Sequence, residues 1–217
     1  MEFIYLHGFA SGPSSTKASS FKNKFKKIGV SLKVPDLEGG NFKNMTLSSQ
    51  VDIVFSLLDQ SESEQVCIIG SSMGGYLAAL VAQLRAEVCA VYLMAPGFNF
   101  LERWMQNLKL DIDNEACWDS MIPVFHFRYD ETKYISTDIF KDAKKWNSIN
   151  LIRKVPTRIA HGVHDEVVPI NESKKFISCH PWGTLEELNS DHGLLSHLDW
   201  LVDDCILFLK KLRFLSC

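Results

Sequence analysis

A serine that attacks a carbonyl carbon has to stand clear of its own backbone. The segment Gly70-Ser71-Ser72-Met73-Gly74 is suited to presenting one. Its G-x-S-x-G spacing centres Ser72 between glycines, where a strand and a helix must approach closely. The flanks fit that requirement. Val66-Cys67-Ile68-Ile69 reads as a short buried strand, and residues 76–84 read as a helix packed through small side chains. A strand, a sharp turn and a helix would hold the serine in a strained conformation with its hydroxyl exposed. The Met73 N–H would lie at the helix start, where a free donor and the helix dipole can hold a developing negative charge. The same five residues also suit a plain glycine-rich turn with a capping serine, so the pattern needs partners elsewhere in the chain.

A serine hydroxyl is a weak nucleophile at neutral pH until a base takes its proton, and the base needs an acid to orient it. Two later loops offer both. Asp165 lies in His161-Gly162-Val163-His164-Asp165-Glu166, directly after a run at 157–160 that reads as a strand. His192 lies in Asn189-Ser190-Asp191-His192-Gly193, directly after another such run at 185–188. Ser72, Asp165 and His192 all fall at the carboxyl ends of expected strands, the edge where open α/β sheets bind ligands. Their order along the chain, serine then acid then histidine, is one that a known enzyme architecture uses. Competing groups fit less well. Ser71 falls at the variable position of the motif, and His197 would open the last helix. His161 reads as structural, His164 sits in the acid's own loop, and Glu166 and Asp191 read as solvated or capping groups. His7-Gly8-Phe9 follows the first expected strand. The Phe9 N–H is the candidate second donor for an oxyanion, with Gly8 beside the substrate; an ordinary glycine turn is the alternative.

These residues need a scaffold, and the chain alternates as a parallel sheet demands. Strands are expected at 3–7, 31–34, 66–69, 88–94, 157–160 and 185–188. Helices are expected at 16–28, 47–60, 76–84, 171–179 and 200–212. About six parallel strands covered by helices on both faces follow from this rhythm. Residues 97–150 interrupt it with many large apolar groups. They are expected to form an inserted lid of short helices, with Phe98, Trp104 and Phe125 lining an apolar pocket beside Ser72. Most of the remaining aromatics would anchor the lid to the core.

The whole chain, 217 residues, suits one domain spanning 1–217. Hydrophobic residues at 46% and charged residues at 23% argue for a packed globule rather than disorder. A net charge of −3 without a large basic patch argues against nucleic acid. No apolar stretch reaches membrane-spanning length and the N-terminus lacks a signal-peptide pattern, so a cytoplasmic protein without stable membrane insertion is expected. Cysteines at 67, 89, 117, 179, 205 and 217 form no C-x-x-C and no zinc spacing; reduced thiols are the simplest reading. No metal or organic cofactor is called for. Lys17, Lys22, Lys24, Lys26 and Lys27 read as a solvated helix face, with attraction of an anionic substrate portion as the sharper alternative. The last helix, carrying Trp200, Leu201, Ile206 and Leu209, could serve a homodimer, although sheet cover is the default.

Beyond the triad order, whole motifs resemble a known family. The segment from Tyr5 to Ala18, Tyr5-Leu6-His7-Gly8-Phe9-Ala10-Ser11-Gly12-Pro13-Ser14-Ser15-Thr16-Lys17-Ala18, resembles the opening of the YqiA/YcfP-type esterases, small bacterial α/β-hydrolases. The elbow Ile69-Gly70-Ser71-Ser72-Met73-Gly74-Gly75-Tyr76 is similar to theirs, as are Pro35-Asp36-Leu37, Asp165-Glu166-Val167 and Asp191-His192. The resemblance implies an α/β-hydrolase fold and hydrolysis of a small-molecule acyl ester or thioester. It matches Ser72, Asp165 and His192 to the family's triad positions. Amide or C–C bond hydrolysis on the same triad, and a ligand-binding module without turnover, are the alternatives.

Overall fold

The computed structural model describes residues 1–215; Cys217 and the side chain of Cys117, two of the thiols considered above, lie outside the described residues. Seven strands and seven α-helices form among them. The strands are β1 (Glu2–Leu6), β2 (Val66–Ser71), β3 (Val88–Met94), β4 (Met121–His126), β5 (Glu131–Ser136), β6 (Thr157–Gly162) and β7 (Gly183–Leu188). The helices are α1 (Thr16–Lys27), α2 (Leu47–Asp59), α3 (Met73–Leu84), α4 (Phe100–Leu108), α5 (Asp138–Asn147), α6 (Ile170–Cys179) and α7 (Leu198–Lys211).

Five strands pair in parallel in the order β1-β2-β3-β6-β7. Successive side chains of a strand point to opposite faces, and here both faces are covered. Phe3, Tyr5, Cys67, Ile69, Tyr92 and Met94 pack with Phe21 and Phe25 of α1 and Leu201 and Cys205 of α7. Ile4, Leu6, Ile68, Val91 and Leu93 pack on the other side with Val51 and Val54 of α2 and Leu77 and Val81 of α3. This double burial is why the strands read as near-continuous apolar runs. The C-terminal helix covers the sheet, burying Leu201, Val202, Cys205 and Leu209. Arg153 ties the end of α3 to the next strand, its guanidinium donating to the carbonyls of Ala82, Ala86 and Val88 at 2.5, 2.8 and 2.9 Å. The Ala82 carbonyl lies in the last turn of α3, where a helix end leaves acceptors unpaired. No helix among the described residues is long and apolar enough to cross a membrane.

Two expectations are corrected. The segment 31–34 is not a sixth full strand: it makes a single parallel bridge, Lys33 to Ile4. Its two bonds, Lys33 N–H to Phe3 and Tyr5 N–H to Lys33, are all that forms before Pro35, which has no N–H to continue the ladder. The segment between β3 and β6 is not purely helical. Between α4 and α5 it contains an antiparallel hairpin of β4 and β5, turning at Asp130 with φ 53°. Ile122 and His126 of β4 are buried on its inner side, while Pro123 and Phe125 on its other face are exposed.

Gly74 is among the glycines that leave no room for a side chain. A Cβ there would come 2.2 Å from the Leu6 carbonyl oxygen and 2.5 Å from that of His7, atoms that cannot move without disturbing β1. Gly40, with φ +75°, has nothing within 4 Å of its would-be Cβ. In urea titrations Gly74→Ala is therefore expected to lose about 3 kcal/mol or more, an overpacking cost. Gly40→Ala should lose only about 1 kcal/mol, the cost of a left-handed alanine. Equal losses would show that the contact at Gly74 relaxes freely.

Candidate active site

Ser72 follows β2 directly and precedes the first residue of α3, at φ 53° and ψ −120°. A non-glycine residue held at positive φ costs about 1–3 kcal/mol and persists only where its surroundings over-determine it. Here the backbone does so. The Ser72 N–H donates to Met94, and its carbonyl accepts from Gly75, Tyr76 and Gly97 at 2.8–3.1 Å. Gly8 lies against it: a Cβ at Gly8 would come 3.3 Å from the Ser72 Cβ. Met73 opens α3, so its N–H has no partner four residues back in the helix. Ala10, Ala95 and Leu194, in the loops after β1, β3 and β7, are also at positive φ. Four of the eight non-glycine residues at positive φ among the described residues thus lie at the carboxyl edge of the sheet.

Three side chains from three strand ends meet at this edge. His192 Nε2 lies 2.9 Å from Ser72 Oγ, and His192 Nδ1 lies 2.7 Å from Asp165 Oδ2. The carboxylate can only accept, so Nδ1 carries a hydrogen and donates it. In the neutral ring Nε2 then keeps its lone pair and accepts the Ser72 O–H. That is the polarity a general base needs.

Asp165 is enclosed, its side chain having no exposed surface. Burial alone would raise its carboxyl. Donors reverse the effect: His161 and His192 both lie within hydrogen-bond distance of Oδ2, and the N–H groups of Val167 and Val168 donate to Oδ1 at 2.9 and 2.7 Å. The group is held well below the usual carboxylate range. His161 is fully buried, as a structural histidine should be, yet it is also a direct partner of the acid. Its Nε2 faces both Asp165 Oδ2, at 3.1 Å, and the Val168 carbonyl, at 2.9 Å. A carbonyl only accepts, so Nε2 must donate, and Nδ1 is left to accept the Ser173 hydroxyl at 2.7 Å.

The surrounding loops are hooked together. The Leu37 N–H donates to His7 Nε2 at 3.1 Å, and burial lowers the His7 pKa, keeping its acceptor free. The Phe127 N–H donates to Ala10 at 2.9 Å, and the Arg128 guanidinium donates to Asp36 at 2.8 Å, so the hairpin grips both the loop after β1 and the segment that follows residues 31–34. The buried pair of His126 and Glu38, at 2.7 Å, completes that grip; burial pushes the Glu38 carboxyl up against the attraction of His126. The lysine row of α1 divides. Lys22, Lys26 and Lys27 are exposed and Lys24 pairs with Asp203 of α7. Lys17 turns inward, its ammonium donating to the carbonyl of Gly193, next to His192, at 2.9 Å. Burial pulls Lys17 down to about 8, although Asp165 and Asp191 favour its charge.

A cavity of about 250 Å³ opens beside Ser72 and His192. Phe9, Met73, Trp104, Phe125, Phe127 and Val167 contribute apolar wall, and Arg103 contributes a permanent charge. Trp104 and Phe125 both line this cavity. Phe98 is instead packed between Phe176, stacked at 4.5 Å, and Tyr76. Its ring ties α6 to α3, and only its backbone carbonyl faces Arg103. Ser71 is buried within β2; the Asp191 carboxylate accepts the Leu194 N–H, and His164 is exposed against Asn189. His197 stands at the start of α7. Among the described residues no group of three or more His, Cys, Asp or Glu side chains is arranged to hold a metal. Arg103, the inward turn of Lys17 and the role of His161 escaped the sequence reading. Only His161 left a signal, four residues before the acid in the same strand-to-loop segment.

Comparison with known proteins agrees with this architecture. The mitochondrial palmitoyl-protein thioesterase ABHD10 of Bos taurus is 24% identical over 221 residues, covering 94% of this chain and 72% of the relative. Among solved structures, Est1E from Butyrivibrio proteoclasticus with bound ferulic acid superposes with a TM-score of 0.83 at 19% identity, over 96% of this chain and 88% of that one. The α/β hydrolase domain-containing protein 10 from mouse gives 0.81 at 21% identity, over 97% and 90%. The fold is that of the α/β-hydrolases. The model of one family matches residues 2–204, and the chain therefore belongs to that family, the Uncharacterised protein family (UPF0227), of the YqiA type that its opening and elbow motifs resemble.

Proposed function

We propose that this protein is a serine hydrolase cleaving carboxylic esters or thioesters through Ser72, His192 and Asp165. The observation that carries the reading is the pair of hydrogen bonds in series, 2.9 and 2.7 Å, with the polarity a base-activated hydroxyl requires. Ser72 Oγ attacks the acyl carbonyl as its proton passes to His192 Nε2. The N–H groups of Met73 and Phe9 donate to the oxyanion. His192 then protonates the leaving oxygen or sulfur, and water activated by the same imidazole releases the acid. Asp165 holds the ring in its productive tautomer and balances its transient charge. The names of the thioesterase relative and of the ferulic acid complex support esters and thioesters as the substrate class. A cavity of about 250 Å³, at the small end for ligand clefts, favours short or medium acyl groups under the cover of residues 97–150. The free thiols of Cys67, Cys89, Cys179 and Cys205 fit a reducing compartment such as the cytoplasm.

A p-nitrophenyl ester series from acetate to palmitate tests the reaction. Turnover is expected to peak toward the short end and to fall by about four orders of magnitude or more in Ser72→Ala. Activity that survives the substitution, or none at any length in folded protein, would refute the reading.

His161 supplies one of four donors to a buried carboxylate, a bond to a charged group worth about 1.5 kcal/mol. His161→Gln should thus lower kcat by about tenfold with KM nearly unchanged. A loss confined to KM would remove His161 from the orientation of the acid.

Acid stability tests Asp165. Its carboxyl is depressed in the folded state relative to about 3.9 in the unfolded chain. The stabilisation is therefore full above that unfolded value and is lost as pH falls below it. The urea midpoint should drop between about pH 5 and pH 2, and the drop should be smaller in Asp165→Asn. Equal drops would show that the enclosed carboxylate is not linked to stability.

A further inference from the structure

We propose that Arg103 makes the cavity beside Ser72 a subsite for a carboxylate, so that the preferred substrate is an ester or thioester bearing a second, free carboxyl group. This rests on the hydrolase reading of the site and narrows it to a substrate class.

The argument begins with an unbalanced charge. Arg103 stands in α4 and lines the cavity among aromatic and aliphatic side chains. Its guanidinium is held by two neutral groups: Nε donates to the Phe98 carbonyl and Nη1 to the Val167 carbonyl, each at 2.9 Å. These bonds fix the fork between the start of α4 and the loop that carries Asp165. They leave Nη2 and part of Nη1 for another acceptor, since the group has five N–H donors. No carboxylate among the described residues forms an ion pair with it within 4.0 Å. The acids that act on it do so only from a distance. Glu172 binds Lys175 at 3.2 Å and Asp165 holds two histidines, while Glu102, whose Oε1 accepts from Asn147 at 2.6 Å and whose Oε2 is buried without a partner, makes no direct contact with the guanidinium. Burial disfavours the charged guanidinium here, and those distant acids only partly restore it.

A partly desolvated cation without a counter-charge is costly unless something pairs with it. A planar guanidinium already fixed in place matches a carboxylate in two-point geometry, which an ammonium would not. Apolar walls and one fixed cation together describe a pocket for an amphipathic acid: hydrocarbon against Trp104 and Phe125, carboxylate on Arg103. The anion recognition considered for the lysine row of α1 is thereby relocated, because Lys17 is committed to Gly193 and Lys24 to Asp203.

The test compares matched esters within each enzyme. On the acyl side, p-nitrophenyl hydrogen glutarate is set against p-nitrophenyl hexanoate. On the leaving-group side, the butyrate ester of para-hydroxybenzoate is set against that of para-hydroxyacetophenone. In one of the two arms the wild-type kcat/KM should favour the carboxylate by about tenfold or more, the factor one charge-assisted pair supplies. That ratio should collapse toward one in Arg103→Gln and be partly kept in Arg103→Lys. Reading a ratio within each variant cancels any general damage from losing the brace to Phe98 and Val167. A wild-type ratio of one or less in both arms, or a ratio unchanged in Arg103→Gln, overturns the subsite. Titration calorimetry with the non-hydrolysable glutaric acid mono-anilide decides it independently of turnover. Binding should weaken about tenfold in Arg103→Gln, and unaltered or undetectable binding in the wild type refutes it. If no ester is hydrolysed, the serine hydrolase reading fails and the calorimetry still judges Arg103.

Discussion

The carboxylate of Asp165 is shut away from water, and the arrangement of the site depends on how that charge is kept. A bare ion in such a place would take up a proton or disrupt the fold. Four donors prevent this, two imidazole nitrogens on Oδ2 and two backbone N–H groups on Oδ1. Each comes from a different demand on the chain. The N–H groups require the loop to curl tightly from Asp165 to Val168. His161 must be the buried residue of β6 that points back under this loop, and Ser173 of α6 must hold its other nitrogen. His192 has to arrive from the loop after β7. A single desolvated charge thus draws β6, β7 and α6 together and leaves the His192 ring with its lone pair aimed at Ser72.

The opposite half of the site is built by close packing rather than by charge. Ser72 stays at positive φ because its N–H and carbonyl are both committed, to Met94 on one side and to α3 and Gly97 on the other. Gly70 and Gly74 let β1, β2 and α3 approach so closely that a methyl group on either would overlap backbone atoms. The strain of Ala10, Ser72, Ala95 and Leu194 is balanced by the two buried cores beneath them. Strain at the carboxyl edge and stability in the sheet are complementary features of one design. The hairpin completes the enclosure, reaching over from the segment between β3 and β6 to bind the loop after β1 through Phe127 and the segment at Asp36 through Arg128.

Much of this was legible in the residues because it is local. Apolar runs ending in glycine marked strand ends at β2 and β6, and the three chemically able side chains follow strand ends directly. Helix boundaries were less exact: α3 begins at Met73 rather than at 76, with Ser72 at its N-cap position making no side-chain capping bond. The hairpin of β4 and β5 lies where short helices were expected, although its aromatic residues favour strands, and Pro123 falls inside β4. A two-stranded ribbon leaves each strand a free edge, where a missing N–H costs nothing. Phe98 was placed in the pocket by its character, whereas its stacking on Phe176 depends on where α6 docks, which no local pattern encodes. Lys17, His161 and Arg103 were hidden for the same reason. Their partners lie at Gly193, at Asp165 with Ser173, and at Val167, and only the folded sheet brings most of these together.

The central claim is that Ser72 is activated by an imidazole oriented by a buried acid. The most direct measurement is the rate at which a fluorophosphonate probe labels the folded protein, with the modified residue located by peptide mass spectrometry. The account predicts one rapid adduct on Ser72 and a labelling rate that collapses in His192→Ala. Slow labelling spread over other residues, or a Ser72 rate indifferent to the loss of His192, would contradict it.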